Sequence, residues 1–165
     1  MGRPAVATRM FARSIRAPSS NGRRIIADVK NTTQIGDTSK AMIMAALLKA
    51  KRTVLVPFGD GLRYDLVVDE GPRFSRIQCK TGRLNKRGVI EFNLYSVHRE
   101  NGRFVNRPYE NDVDAYGVYC AATNECYLVP AAEVGIKGGY LRVTPFAPGG
   151  RSYSCKFAKD YVIRA

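Results

Sequence analysis

Asp65, Gln78 and Lys80 have the types and the spacing for work on a phosphodiester. Gln78 and Lys80 are two apart in Phe74-Ser75-Arg76-Ile77-Gln78-Cys79-Lys80, a run that alternates polar and apolar residues as a two-faced strand does. They project from one face, and Ile77 and Cys79 from the other. Asp65 lies in a second alternating run, Arg63-Tyr64-Asp65-Leu66-Val67-Val68-Asp69, and the Glu70-Gly71-Pro72-Arg73 between them is a turn signal. The two runs read as an antiparallel hairpin with the three side chains at one end. Taken singly, each has a plainer reading: a strand-end turn acid, a solvent-facing amide and a surface cation.

Phosphodiester hydrolysis needs a nucleophilic water, charge stabilisation at phosphorus and help for the leaving oxygen. Mg²⁺ or Mn²⁺ held by hard oxygen ligands supplies all three. Asp65 is the strongest ligand available. Gln78 lends a carbonyl oxygen without charge, so metal affinity falls below that of a diacidic site. Lys80 steadies the attacking water or the developing negative charge.

The longer run Val56-Pro57-Phe58-Gly59-Asp60, Arg63-Tyr64-Asp65-Leu66 and Ile77-Gln78-Cys79-Lys80-Thr81-Gly82-Arg83 resembles the group I intron-associated PD-(D/E)XK endonucleases. In that branch a Gln often stands for the acid before the lysine. Val113-Asp114-Ala115-Tyr116-Gly117-Val118-Tyr119 and Tyr127-Leu128-Val129-Pro130 extend the similarity, which spans residues 34–135. A bare D…QxK is a weak signal, and its setting in this run makes it specific. The resemblance implies an α/β fold with a restriction-endonuclease-like core, a mixed central β-sheet with an N-terminal helix packed on it. It also implies a metal-dependent DNA endonuclease of the homing type, with Holliday-junction resolvase-like cleavage as an alternative. The backbone carbonyl of Cys79 is implied as a further ligand.

One position departs from the family. Its members place a Glu on the first helix, at the fourth position after the glycine of a Gly-(Asp/Glu) pair, and here that position is Lys40. An ammonium there repels a dication. Asp37, three residues earlier, is on the same helix face and is the substitute carboxylate. A second reading follows from Lys40 and Gln78: a catalytically weakened DNA-binding module on the nuclease fold. A small basic structural protein is a third.

The 165 residues suit one domain with a proper core, and 45% hydrophobic content is ordinary. The 27 Lys and Arg against 14 Asp and Glu are not; the net charge of +13 points to a polyanion, with DNA as partner. Arg63, Tyr64, Arg83, Lys86, Arg87, Arg99, Arg103 and Arg107 are expected to contact it. Cleaving both strands of a near-palindrome takes two sites, hence a homodimer or homotetramer. No apolar run is long enough to span a membrane. The cysteines at 79, 120, 126 and 155 match no zinc spacing and read as reduced thiols of a reducing compartment, the cytoplasm.

Residues 1–30 form a basic N-terminal arm ahead of a nuclease-like domain at 31–165. Its first 24 residues carry no acid and are punctuated by Pro, Ser and Gly, so the arm suits a tail, a DNA clamp or a transit peptide. A helix is predicted over 40–51, capped by Gly36-Asp37-Thr38-Ser39, with Ala41, Met44, Ala45 and Leu48 on its buried face. Strands are predicted over 53–56, 89–94, 114–121, 125–129 and 141–143, and a polar loop over 96–110. A short helical turn is expected at 130–134, a loop at 145–152, and a strand or short helix at 157–163.

Overall fold

The computed structural model describes residues 20–59, 61–136, 138–145 and 155–165, with side chains from residue 31 onward. Residues 1–19 of the basic arm and 146–152 of the 145–152 loop lie outside the described residues. By contacts the chain divides into Met1–Thr32 and Thr33–Ala165. In the first unit the described backbone is helical. The second unit holds the sheet and the site.

Helix α1 is Ser20–Lys49, so it begins well before residue 40 and Gly36-Asp37-Thr38-Ser39 lies inside it. Those short polar residues do not cap. The Thr38 hydroxyl donates to the Gln34 carbonyl at 2.8 Å and that of Ser39 to Ile35 at 2.9 Å, which satisfies them within the helix. The buried face also differs from expectation: it carries Ser39, Ile43 and Leu47, while Leu48 is 53% exposed. Ser39 can sit in that stripe because its Oγ lies 2.7 Å from Thr81 Oγ1 on the sheet. Lys51 at φ 57° ends the helix, with Lys51 N–H on Leu48 O and Arg52 N–H on Leu47 O, the paired bonds of a Schellman close.

Strands β1 (Thr53–Leu55), β2 (Leu66–Asp69) and β3 (Phe74–Leu84) form an antiparallel run. The β2–β3 turn is the expected one: Gly71 takes φ 83° and its N–H donates to Asp69 Oδ1 at 2.8 Å. Strand β3 is the hub. It pairs in parallel with β7 (Ala115–Cys120) and antiparallel with β4 (Val89–Asn93). β8 (Glu125–Pro130) extends the sheet from β7 and β9 (Gly138–Arg142) from β4, so the central sheet is mixed, as expected. Residues 131–133 form a short 3-10 turn, and 158–160 another, flanked by single bridges at Phe157 and Val162.

Residues 96–110 are not a polar loop. They contain β5 (Tyr95–Glu100) and β6 (Arg103–Pro108), a separate two-stranded hairpin. Its turn is Asn101-Gly102, with φ 47° and 78°. Asn-Gly between two runs is the commonest tight hairpin turn, and it outweighs the polar character of the flanking residues.

Two apolar clusters sandwich the sheet. Ile43 and Leu47 of α1 meet Leu66, Val68, Ile77, Ala115 and Cys126. Phe92, Tyr109, Val113, Tyr116, Val118, Tyr127 and Leu141 fill the opposite face. Gly117 permits the close approach of α1, since a Cβ there would sit 2.7 Å from Ile43 Cγ2 and 3.3 Å from Ile77 Cγ2. Gly117→Ala should therefore destabilise the fold by about 1–3 kcal/mol through overpacking. A lower urea midpoint at unchanged m-value checks this; an unshifted midpoint refutes the tight helix–sheet contact.

Candidate active site

Asp65 meets the Ile77–Cys79 stretch of β3 where the β2 pairing stops and β3 runs on. β2 pairs with β3 only as far as Ile77, and β7 is the only strand paired with Gln78–Gly82 among the described residues. The Cys79 N–H is thus left without a ladder partner on one side. Asp65, just ahead of β2, supplies it: Asp65 Oδ2 accepts from Cys79 N at 2.8 Å, and Asp65 N donates to Ile77 O at 2.8 Å. The same bonds that close the sheet fix the carboxylate.

Asp65 Oδ1 lies 3.8 Å from Lys40 Nζ, both side chains about a third exposed (30% and 38%). The helix thus presents Lys40, one turn beyond Asp37, to the carboxylate. Asp37 is exposed.

Gln78 and Lys80 share the face opposite α1, as the alternation requires. Gln78 is 9% exposed rather than solvent-facing, packed beside its register neighbour Tyr116. Lys80 Nζ lies 4.2 Å from the centroid of the Tyr109 ring and 3.4 Å from the Tyr95 carbonyl, to which it donates. Burial, with the Arg63 guanidinium pushing the same way and Asp65 opposing, brings Lys80 down to about 8. Burial foremost, and then the Asp65 charge, push the Cys79 thiol up, so that sulfur is not a nucleophile.

This shift has a consequence for stability. Below pH 8 Lys80 is charged in both folded and unfolded chains, and the folded state bears the full cost of a desolvated ammonium. Between about 8 and the ordinary 10.5 the unfolded chain binds the extra proton, so stability rises with pH across that window. Measured without divalent cations, the stability gap between Lys80→Met and the parent should be widest below pH 8 and close by 10.5. A gap independent of pH would contradict a desolvated Lys80.

Arg63 is turned inward. Its Nε donates to Asp112 Oδ2 at 2.8 Å, its NH1 to Ser96 Oγ at 2.7 Å, and its NH2 to the carbonyls of Arg107 and Pro108. Its guanidinium also lies 4.2 Å from the Tyr109 ring centroid, so one aromatic serves both cations. Tyr64 is half-buried against the Tyr109 cluster. Arg83, Lys86, Arg87, Arg99, Arg103 and Arg107 are exposed. The place of Tyr109 under Lys80 depends on the hairpin, which local pattern does not reveal. Asp112 and Thr81 were not singled out at all.

A PD-(D/E)XK endonuclease family model matches residues 30–163. The chain belongs to the PD-(D/E)XK endonuclease family. Among solved structures, a bacterial homing endonuclease, I-Ssp6803I, superposes with a TM-score of 0.61 at 24% identity over 79% of this chain and 88% of that one. None of the curated proteins matches. Among the described residues no helix is long and apolar enough to cross a membrane, and no three His, Cys, Asp or Glu side chains gather as a metal cluster. Neutral oxygens beside Asp65 could complete a cation site at this sheet edge. Gln78 makes no side-chain hydrogen bond among the described residues, which leaves its carbonyl oxygen available. In an extended strand, N–H and C=O of one residue point to the same side, so the Cys79 carbonyl is directed toward the Asp65 edge. One carboxylate and two neutral oxygens fit a single hard cation, with Lys40 contesting it.

Proposed function

We propose that the chain is a DNA endonuclease of the homing type that depends on Mg²⁺ or Mn²⁺ and acts as a homodimer or homotetramer. The observation that carries this reading is the convergence of Asp65, the Cys79 backbone and a desolvated Lys80 at one sheet end. Asp65, Gln78 and the Cys79 carbonyl would hold the cation, which would supply charge at the scissile phosphate and acidify a water. Lys80, aimed by the Tyr109 ring and the Tyr95 carbonyl, donates to oxygen at the phosphorus as negative charge develops. Sequestration by Tyr109 makes that ammonium stronger than it would be in water. The exposed Arg83, Lys86 and Arg87 contact the DNA backbone near the cut.

The Lys40–Asp65 pair favours a second reading, a DNA-binding module in which the ammonium has displaced the metal. One experiment separates the two: the full chain incubated with linear, supercoiled and four-way-junction DNA, with and without Mg²⁺ or Mn²⁺. Metal-dependent cleavage supports the nuclease, and its preferred DNA form distinguishes homing from junction-resolving activity. Retention of DNA without a cut in any condition selects the binding module.

A further inference from the structure

Beyond its root, the β5–β6 hairpin presents a surface that the fold does not use. Its strands pair with each other and with no other strand, and all residues from His98 to Pro108 are exposed. A lone hairpin is marginal in water, yet this one is held at its root by Arg63, which bonds to Ser96 and to the carbonyls of Arg107 and Pro108. A rigid mount on an otherwise unburied element suits a surface that meets a partner. Its charge says which kind: three arginines against one glutamate.

The pairing register sorts its residues. Val97 is opposite Asn106 and Arg99 opposite Phe104, so these four share one face. Ser96, His98, Arg103 and Arg107 share the other, where Ser96 Oγ is engaged by Arg63 and by His98 Nε2 at 2.8 Å. The first face is unengaged: Phe104 is 80% and Val97 57% exposed, and the Arg99 and Asn106 side chains have no partner among the described residues. Arg pairs with guanine and Asn with adenine in the major groove, and apolar groups meet the thymine methyl. A groove about 12 Å wide admits a two-stranded ribbon.

We propose that this hairpin enters the DNA major groove and reads base edges with Val97, Arg99, Phe104 and Asn106, while Arg103 and Arg107 hold phosphates. This rests on the reading of the chain as a DNA nuclease, which names the partner, and it adds the element that selects the sequence.

The test is selection from a pool of random-sequence duplexes by the full chain, with Ca²⁺ replacing Mg²⁺ so that binding is read apart from cleavage. The parent should enrich a defined motif. Guanine N7 atoms within it should be protected from methylation, which reports the major groove. Arg99→Ala with Asn106→Ala should bind the pool within a few-fold of the parent and lose about tenfold or more of discrimination at each position read. Arg103→Ala should weaken binding evenly across sequences and reduce the salt slope by about one. Unchanged thermal midpoints guard against misfolding. The proposal is overturned if the double variant enriches the same motif, if no motif emerges, or if methylation is unhindered. A motif without Mg²⁺-dependent cleavage keeps this proposal and removes the nuclease reading.

Discussion

Lys80→Met should reduce Mg²⁺-dependent DNA cleavage by roughly 10²–10³-fold, the usual loss when one preorganised donor to a developing charge is removed. Methionine keeps much of the volume, and the stem still packs on Tyr109. DNA affinity should change little, because the arginines that neutralise phosphate are elsewhere. The fold should be at least as stable below pH 8, since a desolvated charge has been removed. Single-turnover rates at saturating enzyme, alongside a binding titration in Ca²⁺, separate the chemical step from affinity. Equal cleavage by variant and parent would remove Lys80 from the reaction.

Lys40→Glu should have the opposite sign. Lys40 Nζ is 3.8 Å from Asp65 Oδ1, close enough that its charge acts on whatever the carboxylate binds. In an effective dielectric near 20, unit charges about 5 Å apart exchange roughly 3 kcal/mol, and partial exposure screens this to about half. Exchanging the ammonium for a carboxylate should therefore tighten Mn²⁺ binding by about tenfold or more and raise cleavage at limiting metal. Lys40→Gln, which removes charge without adding it, should fall between. Calorimetric titration with Mn²⁺ reads affinity directly, whether or not DNA is cut. If affinity is the same in all three proteins, Lys40 does not govern the metal. If the Lys40→Glu variant and the parent are both inactive and Lys80→Ala binds DNA as the parent does, the chain is the binding module.

Stability and the proposed metal site are joined at Asp65 in a way that complicates its own substitution. One oxygen finishes the β3 hydrogen bonding at Cys79, and the other faces Lys40. Asp65→Asn would alter metal affinity, and it would risk aiming an amide N–H at the Cys79 N–H. Lys40 and Lys80 are cleaner probes because neither closes the sheet.

Strand alternation around Gln78 and Lys80, the turn at Glu70–Arg73, and Asp65 before it were enough to place the motif on a hairpin. These are local, period-two patterns that burial on both faces reinforces. The charge of +13 likewise spoke for DNA without coordinates. The helix was harder to read: polar Ser39 lies in the buried stripe because a partner on a distant strand, Thr81, satisfies it. No local pattern reveals a hydrogen bond across 42 residues. The Asn101-Gly102 turn was visible in the chain, but the arginines around it drew the reading toward a loop.

What tertiary structure alone decided is the environment of each charge. Only the docked β5–β6 root brings Tyr109 beneath Lys80 and turns Arg63 inward as a strut, and only the helix register sets Lys40 against Asp65. Residue type and spacing determine which groups can ligate or donate. Desolvation and distance between groups far apart in the chain determine their charge and aim, and those exist only once the chain has packed.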